Sequence, residues 1–193
     1  CDVITFDMPG IGGSPDARLP YRPSKAVKWA KKILEHYDID EVDVMGVSWG
    51  GGMAQQFARN YPDCAKALVL LATSAGTLMV PGNFSALSRM AQSKRYTDPD
   101  YMMKNFKTLY GEAADGSSEG HKSRIKPPTR KGYAFQLTAM VGWTSLHFLL
   151  FLKQPTLIMA GNKDNIVPLV NARLLKAAIP RADLRIVRGG GHL

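Results

Sequence analysis

Gly46-Val47-Ser48-Trp49-Gly50 decides the reading of this chain. The five residues spell G-x-S-x-G, and their surroundings give the pattern its weight. Val42, Val44 and Val47 form a short β-branched run, while Gly51-Gly52-Met53-Ala54-Gln55-Gln56-Phe57-Ala58 reads as a helix. A serine between a strand and a helix sits in a sharp turn that lifts its hydroxyl above the sheet. The flanking glycines are expected because Cβ atoms would clash in so tight an elbow. The helix directs its partly positive N-terminus at the place where an oxyanion would form, with the Trp49 N–H as one donor. Nucleophilic chemistry at Ser48 is the implication.

Working outward, residues 2–7 read as a buried strand that ends in the glycine-rich turn Asp7-Met8-Pro9-Gly10-Ile11-Gly12-Gly13-Ser14. Ala26, Val27, Trp29, Ala30, Ile33, Leu34 and Tyr37 recur at helical spacing, which predicts a helix over 24–38 with Ser24 as its N-cap. A strand over 41–47, a helix over 50–60 and a buried strand over 67–71 follow. The alternation resumes with a strand over 155–160, a helix near 168–179 and a strand over 184–187. Such a rhythm predicts an α/β fold whose mostly parallel strands are joined by crossover helices.

Residues 75–152 break the rhythm with helical fragments and a polar, loop-like stretch at Gly111–Arg130. An insertion between two strands of a parallel sheet predicts a lid over the carboxyl ends of the strands. The expected division is therefore 1–74 as core with the elbow, 75–152 as lid, and 153–193 as core with the acid and base loops. Gly132 to Leu152 carries no charged residue and is long enough to suggest a membrane span. Gln136, Thr138, Gly142, Thr144, Ser145 and His147 interrupt it, so lid helices lining an apolar pocket are expected and a transmembrane span is not.

The net charge of +9 lies largely in residues 75–153, with 11 basic and 5 acidic groups. Lys122, Arg124, Lys126, Arg130 and Lys131 belong to this excess. No recognition motif accompanies it, so a solvated basic face is expected and no nucleic-acid partner. Cys1 and Cys64 make neither a disulfide framework nor a metal spacing, which suits a reducing, cytoplasmic setting. Gly10-Ile11-Gly12-Gly13 follows a strand-like run but lacks the G-x-G-x-x-G spacing and a suitably placed acid. It is expected to border the active site; no cofactor and no metal are expected. The chain opens inside the strand-like run and stops just after a glycine loop, so truncation at both ends is expected.

A serine hydroxyl needs a base and a group to orient that base. His36 falls on a surface helix, His121 in a polar loop and His147 in the apolar insertion. His192 follows Gly189-Gly190-Gly191 beyond the last strand, in a mobile turn from which an imidazole could swing over the elbow. Asp164, in Gly161-Asn162-Lys163-Asp164-Asn165, lies beyond the preceding strand. The turn after the 67–71 strand, Ala72-Thr73-Ser74-Ala75, offers no rival carboxylate. Ser48, Asp164 and His192 thus follow the chain order of a strand-to-helix nucleophile elbow. A second oxyanion donor would come from an earlier strand's loop, outside this sequence. Its loss typically costs about 100- to 1000-fold in rate, so the 193-residue chain alone is expected to turn esters over poorly. Missing early strands would also leave an aggregation-prone sheet edge.

Asp7-x-Pro9-Gly10-x-Gly12-Gly13-Ser14, the elbow, Gly161-x-x-Asp164 and Gly191-His192 together resemble the α/β-hydrolase superfamily. More narrowly, the chain is similar to intracellular medium-chain-length poly(3-hydroxyalkanoate) depolymerases. The stretches that carry this are the elbow through Gly51, Ala54-Gln55-Gln56-Phe57-Ala58, Met79-Val80-Pro81-Gly82, Arg95-Tyr96, Gly142-Trp143-Thr144-Ser145-Leu146-His147 and Gln154-Pro155-Thr156-Leu157. The resemblance runs from end to end and departs at Asn162-Lys163, where the family tends to be more acidic. It implies Ser48, Asp164 and His192 as nucleophile, acid and base, and hydrolysis of a storage polyester to 3-hydroxy acids at an intracellular granule. Related polymer synthases use cysteine as nucleophile, so serine favours hydrolysis.

A segment rich in Leu, Met, Phe and Trp suits an acyl chain, and Met79 and Trp143 are the pocket candidates. The same fold on small substrates would be a carboxylesterase, lactonase or carbon–carbon hydrolase. A granule-associated binding module with a vestigial triad is the non-catalytic alternative.

Overall fold

The computed structural model describes residues 2–92, 94, 98, 100, 101, 104–106 and 127–192. His121, Lys122, Arg124, Lys126 and Arg95-Tyr96 lie outside the described residues, as does most of the polar stretch at 111–130. The elements run α1 (Pro23–His36), β1 (Val42–Val47), α2 (Trp49–Asn60), β2 (Ala65–Leu71), α3 (Phe84–Ala91) and α4 (Arg130–Ala139). A 3₁₀ turn (Leu149–Phe151), β3 (Thr156–Gly161), α5 (Leu169–Ala178) and β4 (Ala182–Val187) complete them.

All four strands are parallel, in the order β1-β2-β3-β4. Their buried residues Leu68, Leu70 and Ile158 meet Leu149 and Leu175 at the centre of the main core. Each fully buried side chain of this size contributes about 1.5–3 kcal/mol relative to exposure. Parallel pairing sends every strand's carboxyl end to the same edge, where ligands bind in open α/β sheets.

Residues 2–7 correct the expectation of a strand. They are exposed and pair with no described strand, although Val3, Ile4 and Phe6 have the composition of one. Apolar character makes a strand only where a neighbour supplies a ladder, and no described strand pairs with the outer edge of β1. Met45 on that edge is 64% exposed. Asp7 instead organises the turn that follows: its carboxylate accepts from the Gly13 N–H at 3.0 Å, and its carbonyl accepts from the Ser14 hydroxyl at 2.7 Å. Gly12, at φ +54°, has room for no Cβ beside that carboxylate. Gly10 lies against Gly132, tying this turn to the start of α4.

Ser24 is not the N-cap of α1. Arg22 takes that place and Pro23 opens the helix, because proline's fixed φ and missing N–H suit the first helical position. Between β2 and β3, Thr129 caps α4 by accepting from the Gly132 N–H at 2.8 Å. Lys131 places its ammonium over the Phe135 ring, 5.5 Å from the centroid. Among the described residues no helix is long and apolar enough to cross a membrane.

Candidate active site

Ser48 stands between β1 and α2 with φ +51° and ψ −117°. A non-glycine residue held there costs about 1–3 kcal/mol, so the surroundings must fix it. They do so through three hydrogen bonds. The Ser48 N–H donates to Leu71 O at 2.8 Å, and its carbonyl accepts from the Gly51 N–H at 2.9 Å and the Thr73 hydroxyl at 2.7 Å.

A Cβ on Gly46 would lie 2.2 Å from Gly50 O, and one on Gly51 would lie 2.4 Å from the Thr73 side chain. Steric need therefore accounts for Gly46 and Gly51. Gly50 differs from the sequence-based expectation: a Cβ there meets nothing within 4 Å. As the second residue of α2, it has its missing side chain on the open side of the elbow.

Asp164 follows β3 and is buried. One carboxylate oxygen accepts from the Ile166 and Val167 N–H groups, each at 2.8 Å, leaving the other for His192. His192 follows β4 and is also buried. Its Nδ1 lies 2.8 Å from Asp164 Oδ2, and its Nε2 lies 2.9 Å from Ser48 Oγ. Three residues from three strand ends thus form one hydrogen-bonded row. With Nδ1–H donating to the carboxylate, Nε2 is left as an acceptor for the serine proton.

The turn before His192 is stitched down rather than loose. Gly189 N–H donates to Asn162 Oδ1 at 2.7 Å, and Lys163 N–H donates to Gly190 O at 2.9 Å. Gly161 permits the approach, since a Cβ there would lie 2.2 Å from Gly190 O and 2.4 Å from Gly191 O. Asn162 therefore binds the turn before His192 to the turn that carries Asp164.

Trp49 is the first residue of α2, and its indole N–H donates to Gln136 O at 3.2 Å, joining the elbow to α4. Met79 accepts a 3.3 Å hydrogen bond at sulfur from Ser74 and packs against the small cluster formed by Ala86, Phe106, Ile166 and Val167. It thus lies between the turn after β2 and the acid loop. Trp143 is brought instead to α2 and the main core. Its indole donates to Gln56 Oε1 at 2.7 Å, its ring lies against Gly52 and Gly76, and it meets Phe148 edge-on. His36 stacks edge-on with Tyr37 and His147 with Phe148.

Thr73, Gln55 and Asn171 escaped the sequence reading. Gln55 is fully buried; it donates to Gly51 O and Ser74 O and accepts from the Ser145 hydroxyl at 2.6 Å. The only available signal was Gln55-Gln56 on an otherwise apolar helix face. No group of three or more His, Cys, Asp or Glu among the described residues could hold a metal ion.

A family model of the α/β hydrolase fold matches residues 1–109 and 104–193. The chain belongs to the α/β-hydrolase family. It is 45% identical over 195 aligned residues to the poly(3-hydroxyalkanoate) depolymerase of Ectopseudomonas oleovorans, covering all of this chain and 69% of that protein. It is 26% identical to the 2-hydroxymuconate semialdehyde hydrolase of Pseudomonas sp. strain CF600, over 98% of this chain and 69% of the relative. Among solved structures, an esterase from Exiguobacterium antarcticum superposes with a TM-score of 0.80 at 18% identity, over 96% of this chain and 72% of the esterase. The α/β-hydrolase fold and the likeness to a polyester depolymerase read from the sequence both hold.

Proposed function

We propose that the protein is a serine hydrolase that depolymerises medium-chain-length poly(3-hydroxyalkanoate) to 3-hydroxy acids through an acyl-enzyme. The observation that carries this reading is the unbroken row Ser48 Oγ–His192–Asp164, with contacts of 2.9 and 2.8 Å. The 45% identity to a depolymerase supports the substrate.

In this mechanism, His192 Nε2 takes the Ser48 proton as Oγ attacks the ester carbonyl, while Asp164 steadies the resulting imidazolium. The Trp49 N–H, at the positive end of α2, meets the oxyanion. Collapse breaks the bond to the alkoxy oxygen, which leaves as a hydroxyl with the proton from His192. Water then attacks the acyl-enzyme with His192 again as base; Ser48 is regenerated and the 3-hydroxy acid departs. Residues 1–74 and 153–193 act as the core, and residues 75–152 as a lid that shelters the acyl chain beside Met79, with Trp143 behind it. The polymer is met at the surface of a cytoplasmic storage granule.

A second reading, a carbon–carbon hydrolase or esterase of small substrates, has the 26% identity to a semialdehyde hydrolase in its favour. Full-length protein incubated with polymer granules and, separately, with p-nitrophenyl esters separates the two. Release of 3-hydroxyalkanoates supports the depolymerase, and ester turnover without release favours the second reading. Fluorophosphonate labelling should vanish in Ser48→Ala; absence of labelling in the parent would leave only a granule-binding module.

A further inference from the structure

The segment Leu78–Asn83 is laid across the acid loop by a clamp unrelated to the hydrogen bonds of the triad. Asn171, on α5, is buried, and its side-chain amide engages both backbone groups of Val80. Its Oδ1 accepts from the Val80 N–H at 2.8 Å, and its Nδ2 donates to Val80 O at 2.9 Å and to Pro168 O at 3.2 Å. One asparagine thus acts as a rung of β-ladder between a helix and an extended strap. Burying an amide is tolerable only with such partners. The amide meets that need through Val80 and Pro168.

The strap is also held further along. Asn83 N–H donates to Asn165 O at 2.8 Å, and a Cβ on Gly82 would lie 2.3 Å from Ile166 O. Met79, next to the clamped residue, packs against the cluster that contains Ile166 and Val167, whose N–H groups hold Asp164.

We propose that Asn171 is a specificity-determining positioning residue: by gripping the Val80 backbone it sets the distance of Met79 from the acid loop, and so the depth available to an acyl chain. This rests on the serine-hydrolase reading for the site's location and deepens it. Asn171 touches neither the substrate nor the triad in this role. Its removal should act on chain-length discrimination and leave the chemical step alone.

The test uses full-length protein, its Asn171→Leu and Asn171→Asp variants, and Met79→Ala. Calorimetric Kd values for octanoate and butanoate give a chain-length ratio without turnover. Each fully buried methylene is worth up to about fourfold in affinity. Asn171→Leu should lower the octanoate preference at least fivefold, Met79→Ala should do the same, and the double variant should add little. Asn171→Asp, which keeps the acceptor for the Val80 N–H, should fall between. For p-nitrophenyl butanoate, kcat of the two Asn171 variants should stay within twofold and their pH profile unmoved. An unchanged ratio, an equal loss on both chain lengths, or failure of both Asn171 variants to fold would overturn the proposal. If the parent turns over no ester, the hydrolase reading fails, while the Kd ratio still decides the clamp.

Discussion

Gly161→Ala tests whether the acid and base loops must interlock. The new Cβ would lie 2.2 Å from Gly190 O and 2.4 Å from Gly191 O, both inside the 3.0 Å that Cβ atoms keep from their neighbours. Both obstacles are backbone carbonyls, so no side-chain rotation relieves them. The base loop must retreat by most of an ångström, and it carries His192 one residue beyond Gly191. A misplacement of about 1 Å at reacting groups costs on the order of 100-fold in rate. Overpacking of this kind destabilises by about 1–3 kcal/mol, and each kcal/mol lowers Tm by about 2–4 °C in a domain of this size. Steady-state kinetics on p-nitrophenyl butanoate should therefore show kcat down by about two decades with KM little altered. Gly50→Ala is the stability control, because its Cβ meets nothing within 4 Å; its Tm should hold or rise. If Gly161→Ala keeps kcat within threefold of the parent, the close approach is not what positions the imidazole.

Asp164→Asn retains an oxygen for the Ile166 and Val167 N–H groups but turns an amide donor toward His192 Nδ1. The tautomer then reverses, and kcat should fall about 10⁴-fold with little change in Tm, read by ester kinetics and calorimetry. Ser145→Ala removes the buried partner of Gln55 Oε1 and should cost about 1–3 kcal/mol in urea unfolding; a loss below 0.5 kcal/mol would mean that water replaces it. Burial pushes the Cys64 thiol up, so the folded chain keeps the proton that the unfolded chain releases first. This contribution is complete below the free thiol's value of 9.0 and declines as pH climbs from there toward the raised folded value. In a Cys1→Ser background, iodoacetamide at pH 8 should alkylate native Cys64 at least tenfold more slowly than the unfolded chain.

The four strands and the meeting of Ser48, Asp164 and His192 at one edge were legible because their signals are local. An apolar β-branched run bounded by glycine or proline marks a buried parallel strand, and Ser, Asp or His just beyond it marks the carboxyl edge. Residues 2–7 carried the same signal and made no strand, because composition cannot report whether a neighbouring edge is in reach. Ser24 lost the cap to Arg22 because Pro23 already fixed the first helical position. The polar residues that hold the site were illegible for a related reason. Asn171, Gln55 and Thr73 look like surface side chains until pairing over long sequence separations buries them.

The turn after β2 illustrates what that long-range pairing achieves. Ala72-Thr73-Ser74-Ala75 contains no acid. Thr73 fixes the carbonyl of the strained Ser48, and Ser74 gives its carbonyl to Gln55 and its hydroxyl to Met79. Ala75 O accepts from the Ser145 N–H and the Thr144 hydroxyl, bringing the residues before β3 to the same point. With Asp164 placed after β3, this strand end joins Ser48, α2 and the residues around Ser145. Ser145 is thus joined to the Ser48 carbonyl through Gln55 and Gly51, a hydrogen-bonded route separate from the Asp164–His192 contact.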